Sequence, residues 1–281
     1  MSPGEAAQHV VDALAGGEPV VEVVVVASEI SDVRVGERAV VWADRSEGSL
    51  GDGSLDDRMV AAARDALRTR KAGTAPFEVR DARVSVFLEP HYPPDELVIV
   101  GAGHIARPLC RVGAMLGYEV TVLDDRPGFA TRERFPDAER VIKANFSDPF
   151  RDVPLGRGTH LILVTRGHKY DYDALLDVLL RGVDLAYIGM VGSQRRVRAA
   201  LEQLVKEEGI PRERLESVYA PIGLDIGAET PEEIAISIVG ELIRIRRGGT
   251  GTSLRDQARV MERWLPARPA DSGQERTDAQ H

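Results

Sequence analysis

The 281-residue chain has one cysteine, Cys110. A single thiol cannot form an intrachain disulfide, and it cannot build a zinc site from several thiolates. Such sparing, unpaired use of cysteine fits a reducing cytoplasm. Long apolar runs are missing as well. Residues 20–27 are among the most apolar, but Glu22 interrupts them, and a bilayer span needs ~20 apolar residues. Met1-Ser2-Pro3-Gly4-Glu5 offers no basic start leading into an apolar stretch, so no signal peptide is expected. Nor is there an excess of positive charge: 36 Lys+Arg stand against 45 Asp+Glu, a formal charge of −9. Phosphate-backbone binding depends on dense Lys and Arg, so nucleic acid is not an expected partner. Metal-ligand spacings, a nucleophile elbow and a Walker loop are also missing. The expectation is a soluble cytoplasmic protein with no membrane partner.

The composition that remains is that of an ordinary globular chain, 43% hydrophobic and 29% charged. Its length suggests roughly two domains at ~150 residues each. Residues 1–90 read as a small α/β unit. The β-branched run 20–26 predicts a strand, and 38–42 a shorter one. Residues 49–53 form a glycine-punctuated turn, after which Ser54 is expected to cap a helix with Asp57 in its first turn. Met59, Val60, Ala63 and Leu67 supply the apolar face. Arg68, Arg70 and Lys71 suit the last turn, and Gly73 is expected to end the helix. Residues 83–88 close the unit as a strand. The proline-rich stretch that follows places a linker at 91–95.

From residue 96 the pattern becomes a strand–helix alternation. Apolar runs recur at 97–100, 120–123, 140–142, 161–164, 185–188 and 218–220. Amphipathic segments between them imply right-handed crossovers and a mainly parallel sheet. A helix is predicted over 173–181, closed by Gly182. Thr230-Pro231-Glu232-Glu233 predicts a further start, with a Thr cap, Pro at the first helical position and Glu at the third. That helix is expected to end in Arg244, Arg246, Arg247 and Gly248. The fold class is therefore α/β: a Rossmann-type, doubly wound, mainly parallel sheet over 96–247, preceded by the smaller α/β domain. A helical extension is expected at 248–265 and a disordered tail at 266–281.

Gly101-Ala102-Gly103-His104-Ile105-Ala106 follows a buried strand and opens a helix. In a dinucleotide fold the first glycine makes the tight turn and the second lets backbone amides approach a pyrophosphate. A small third residue, here Ala106, permits helix–strand packing. Asp124 and Asp125 close the next strand, where an acid bonds a ribose hydroxyl. Asp124 would also repel a 2′-phosphate, so NAD would be favoured over NADP. Pro108 fits only near the first helical turn, and Cys110 on the same helix reads as a buried structural thiol.

A second loop, Gly189-Met190-Val191-Gly192-Ser193-Gln194-Arg195-Arg196, combines free amides, a hydroxyl and two arginines at a helix start, which suits an anion site; a solvated helix start with incidental arginines is the alternative. Thr165-Arg166-Gly167-His168-Lys169-Tyr170-Asp171 lies at the same sheet edge. His168 is a candidate general acid or base, and a hydrogen-bonding surface residue is the alternative. Asp225 and Glu229 offer carboxylates in the glycine-bearing loop after the last strand, with a turn-and-cap role equally open.

These loops, with the long motif from Ala220 to Ala235, resemble the C-terminal Rossmann domain of the XdhC family, accessory factors for molybdenum hydroxylases. The resemblance covers about residues 96–247. It implies a non-catalytic chaperone that binds molybdenum cofactor (molybdopterin, with or without a cytosine dinucleotide extension) and shelters it during sulfuration. The factor then passes the cofactor to the apo-enzyme, with a cysteine desulfurase as sulfur-supplying partner. A homodimer is expected. Gly101, Gly103, His104, Ala106, Asp124, Asp125, Arg166, His168, Gly189, Gly192, Ser193, Arg195, Arg196, Asp225 and Glu229 would form the cofactor site. The first domain departs from the family pattern: Gly51-Asp52-Gly53-Ser54 stands where a cysteine-bearing glycine turn is expected, and no Cys-Gly-Gly precedes Arg83. Two further readings remain open: an NAD-dependent oxidoreductase using His168, and a nucleotide-sensing regulatory protein.

Overall fold

The computed structural model of the chain describes residues 1–255, leaving aside the His168 side chain. The end of the expected helical extension and the expected tail lie outside the described residues.

The first domain is built on an antiparallel sheet. Its elements are α1 (Pro3–Leu14), β1 (Val20–Ser28), β2 (Arg38–Val41), β3 (Ser46–Gly48), α2 (Gly53–Thr69), β4 (Gly73–Val79) and β5 (Ala82–His91). The strands lie in the order β3-β2-β1-β5-β4. Strand alternation splits β1 between two faces. Val21, Val23 and Val25 pack with Leu55, Met59 and Ala63 of α2, while Val20 joins Val40, Trp42, Ala6 and Ala13 beneath α1.

Two local expectations are corrected here. Asp52, not Ser54, caps α2: its carboxylate accepts from the amides of Ser54 and Leu55 at 2.9 and 3.2 Å. Both residue types cap well, but Arg80 also donates to Asp52 at 2.6 Å and holds it in place. The helix ends at Arg70 in a left-handed conformation, and Gly73 instead opens β4. α1, β3 and β4 all go beyond the elements the sequence predicts.

The second domain comprises β6 (Glu96–Val100), α3 (Ala106–Met115), β7 (Glu119–Asp124), β8 (Arg140–Lys143), β9 (Thr159–Leu163), α4 (His168–Arg181), β10 (Tyr187–Met190), α5 (Gln194–Lys206), α6 (Arg212–Leu215), β11 (Val218–Tyr219) and α7 (Pro231–Arg247). Its strands follow the order β11-β10-β9-β6-β7-β8, and every pairing is parallel. This is the doubly wound arrangement expected, with the order reversing between β6 and β9, where such sheets bind ligands. Leu97 and Ile99 pack toward α3 and α7, and Val98 and Val100 toward α4 and α5. The strand expected at 185–188 lies two residues later. The capping box at Thr230–Glu233 and the left-handed Gly248 bound α7 as expected. Pro108 falls in the first turn of α3, and Cys110 is buried, its thiol pushed up to about 11 by burial.

Asp95, in the segment between β5 and β6, joins the two domains. It pairs with Arg70 at the end of α2 at 3.0 Å and with Arg246 at the end of α7 at 3.6 Å. No helix among the described residues is long and apolar enough to cross a membrane.

Candidate functional site

The glycine loop leaves β6 toward the C-terminal edge of the parallel sheet. Gly101 has φ +110°, and a Cβ there would stand 2.5 Å from the carbonyl oxygen of Val164, so packing forces glycine. Gly103 differs: a Cβ there would meet nothing within 4 Å. Nothing inside the fold demands glycine at 103, and its bare backbone faces open space. Ala106 is fully buried against the sheet.

The two acids after β7 are fully engaged. Asp124 is buried; its Oδ1 accepts from the Arg126 amide and Nε at 2.9 and 2.8 Å. Oδ2 accepts from the Ala102 amide at 2.7 Å and Arg126 Nη2 at 2.8 Å. Four bonds fill the lone-pair capacity of a carboxylate. Burial alone would raise this carboxyl, but the bonds from Arg126 and the Ala102 amide outweigh it and hold the group at about 2. Asp125 accepts from both terminal nitrogens of Arg166, Nη1 and Nη2, at 2.8 and 2.9 Å. The ribose role expected of these acids would therefore require an arginine to leave.

Aromatic faces back the arginines. The Arg166 guanidinium lies 4.5 Å from the ring centre of Tyr170 and donates to its hydroxyl at 2.8 Å. Arg126 and Arg134 lie 3.5 and 4.4 Å from the Phe129 ring. Arg134 also donates to the Ala102 carbonyl at 3.2 Å. Sequence reasoning missed Arg126, Phe129 and Arg134, and gave Tyr170 no role of its own within the 165–171 motif. The contiguous Asp124-Asp125-Arg126 triplet was the available signal.

Helix starts converge on the same edge. Ile105, Gly167 and Ser193 precede α3, α4 and α5, and none makes a side-chain capping bond. By contrast Ser2, Asp52 and Thr230 each cap their helix through the side chain. The short α6 after Pro211 is uncapped too, but the starts of α3, α4 and α5 follow β6, β9 and β10, neighbours in the sheet, and bring free amides and positive dipole ends together.

The remaining expected residues take varied places. His104 is exposed and lines a groove of about 600 Å³ with Arg107, Arg111 and Arg134. Arg195 and Arg196 are exposed in the first turn of α5, and Ser193 precedes it. Gly189 lies within β10, where a Cβ would press on the Ile222 side chain, and a Cβ at Gly192 would stand 3.1 Å from Val197. Both are packing glycines. His168 opens α4, but its side chain lies outside the described residues. Asp225 and Glu229 are exposed in the loop leading to α7, whose cap is Thr230.

That loop is held from behind by Glu241, which sequence reasoning also missed. The buried Glu241 accepts from the Gly223 amide at 3.0 Å and from the Tyr187 hydroxyl at 2.5 Å. Burial and this acceptor push the Tyr187 hydroxyl up. Ser237 donates to the Leu224 carbonyl at 2.6 Å. The glycine-bearing motif thus owes its path to α7.

Comparison with known proteins matches residues 97–242 to the XdhC Rossmann domain and residues 13–78 to the XdhC and CoxI family. The chain belongs to the XdhC family. It is 30% identical to the uncharacterized protein YqeB of Escherichia coli over 81% of this chain and 43% of that protein. It is 34% identical to a probable xanthine dehydrogenase subunit of Bacillus subtilis, over 59% of this chain and 48% of that one. The chain thus spans less than half the length of these curated relatives. A crystal structure described as a xanthine dehydrogenase from Bacillus halodurans shares the fold. Its TM-score is 0.50 at 21% identity, over 92% of this chain and 99% of that one. Within this XdhC chain, Ser54 donates to Asp52 at 2.6 Å, a structural bond at the position expected for a family cysteine.

Proposed function

We propose that this XdhC-family chain is a maturation factor that binds molybdenum cofactor and assists its sulfuration and insertion into a molybdenum hydroxylase. Xanthine dehydrogenase and carbon monoxide dehydrogenase are the candidate recipients. The observation that carries this reading is the convergence of three uncapped helix starts on a mouth bearing Arg126 and Arg166. Such a mouth suits a phosphate-bearing cargo. The rings of Phe129 and Tyr170 offer flat apolar surface beside it, suited to a pterin. The relative named as a probable xanthine dehydrogenase subunit supports association with that enzyme class.

The cargo's metal end receives no thiolate from this chain. Cys110 is buried with its thiol pushed up to about 11, and Ser54 is a hydroxyl spent on Asp52. The chain therefore grips the phosphate and pterin, and sulfur arrives from a desulfurase partner. An NAD site would need a free acid after β7, and both acids there are taken by arginines.

Titration of the purified chain with anaerobically released molybdenum cofactor tests this, read by ultrafiltration and pterin fluorescence with NAD as competitor. Gly103→Trp serves as the blocked variant, because a Cβ at Gly103 meets nothing within 4 Å, and thermal melting checks that the variant is folded. One cofactor retained per chain, lost in the variant and indifferent to NAD, is expected. No retention by the unmodified chain, with NAD bound instead, overturns the reading.

A further inference from the structure

The first domain holds a side-chain cluster that the sequence hides, because its members lie far apart in the chain. In the β1–β5 ladder Glu22 stands directly opposite Glu89, and Val20 opposite His91. Residues two apart on a strand share a face, so Glu22, Glu89 and His91 all project from the face on which Val20 meets α1. One ligand atom from each residue lies within 4.8 Å of the other two.

Two physical observations mark this cluster as incomplete. Like charges directly opposite each other across an antiparallel pair destabilise the sheet. Arg38 answers only one of these two carboxylates, by donating to Oε1 of Glu22. In addition, His91 Nε2 is buried with no hydrogen-bond partner, and a buried polar atom left so carries the full desolvation penalty of its group. A cation among the three side chains would relieve the repulsion and give the imidazole a partner.

We propose that Glu22, Glu89 and His91 form a binding site for a divalent transition-metal ion of the zinc class. One imidazole nitrogen and two carboxylates suit that class better than the all-oxygen sets preferred by magnesium and calcium. A tetrahedral ion with ligands at ~2.1 Å would hold its donors about 3.4 Å apart, so the side chains close by no more than about 1.4 Å. Three protein ligands leave a position for water. Arg38 keeps its bond to one oxygen of Glu22 and leaves the other for the ion. His91 ends β5, four residues before Asp95, so the ion would stiffen the strand that leads into the domain junction. The site is independent of the mouth of the parallel sheet.

The test uses the full chain, stripped with a chelator and titrated with Zn²⁺ by calorimetry, with Co²⁺ absorption reporting coordination. Magnesium serves as the comparison ion. One zinc per chain is expected, with affinity falling at least about tenfold in His91→Ala and in Glu89→Gln. His9→Gln is the control, because His9 lies 3.2 Å from Glu47 and forms the other histidine–acid contact in this domain among the described residues. Zinc should raise the melting temperature of the unmodified chain and of His9→Gln, but of neither ligand variant. Glu89 is exposed, so Glu89→Gln keeps the test valid should His91→Ala fail to fold. Absence of saturable zinc binding overturns the proposal, and so does binding that survives unchanged in Glu89→Gln.

Discussion

Arg166 reaches from the exit of β9 to Asp125 at the exit of β7 and binds it through both terminal guanidinium nitrogens, at 2.8 and 2.9 Å. Because β6 lies between those two strands, the pair straps across the end of β6, where the glycine loop begins. An anion at the proposed site would have to compete with Asp125 for the same guanidinium.

Loosening that strap from either side should have opposite effects. Asp125→Asn frees the guanidinium and is expected to raise affinity for pyrophosphate severalfold, and Arg166→Ala to lower it at least about tenfold. Both side chains are partly exposed, so neither change should alter stability appreciably. Calorimetric titration beside thermal melting checks both halves. Equal affinities in the two variants would refute a shared guanidinium.

Asp124 is the structural counterpart of Asp125. Removing its charge by Asp124→Asn leaves Arg126 half-buried without its partner and is expected to cost about 2–4 kcal/mol. The folded carboxyl sits at about 2, below the unfolded value of about 3.9. Its contribution is therefore complete above about pH 4 and fades as pH falls toward 2. The melting-temperature gap between the unmodified chain and Asp124→Asn should narrow over that window. A constant gap would show that the ion pair is not its source.

Gly101 and Gly103, on the same loop, make a matched pair. Gly101→Ala places a Cβ 2.5 Å from a carbonyl oxygen at a left-handed φ and should destabilise by about 3 kcal/mol or more. Gly103→Ala meets open space and should stay within about 1 kcal/mol. Chemical denaturation of both variants decides it. A large loss at Gly103 would mean that the fold, rather than ligand approach, explains that glycine.

Cys110 should behave as a core residue. Burial and a thiol at about 11 predict negligible labelling by a thiol reagent at neutral pH in the native state, and complete labelling in denaturant. Rapid native labelling followed by mass spectrometry would contradict this placement.

The parallel sheet was legible because its strands are continuous apolar runs, and Thr230 with Glu233 and Gly248 mark the ends of α7 in the sequence itself. The first domain was less so. Asp52 and Ser54 are both good caps, and only Arg80, 28 residues away from Asp52, favours it. At the site, the glycine loop was visible from its spacing, but the occupation of its acids was not. Arg166 is 41 residues from Asp125, and Glu241 is 18 from Gly223. Such pairings depend on tertiary packing, so a motif that normally signals a ribose acid instead supplies anchors for arginines. Gly189 and Gly192 show the same limit: near a phosphate-type loop, packing glycines cannot be told from ligand-facing ones.

The placement of α7 has a mechanical consequence. Its 17 residues make a stiff rod about 25 Å long. The loop leading into it is clasped from within the helix by Ser237 and Glu241, and five residues beyond Glu241 stands Arg246, fastened to Asp95 at the junction of the domains. A stiff rod pinned at these points transmits displacement instead of absorbing it. A shift of the loop beside β11 would therefore be felt as a pull on the joint between the two domains.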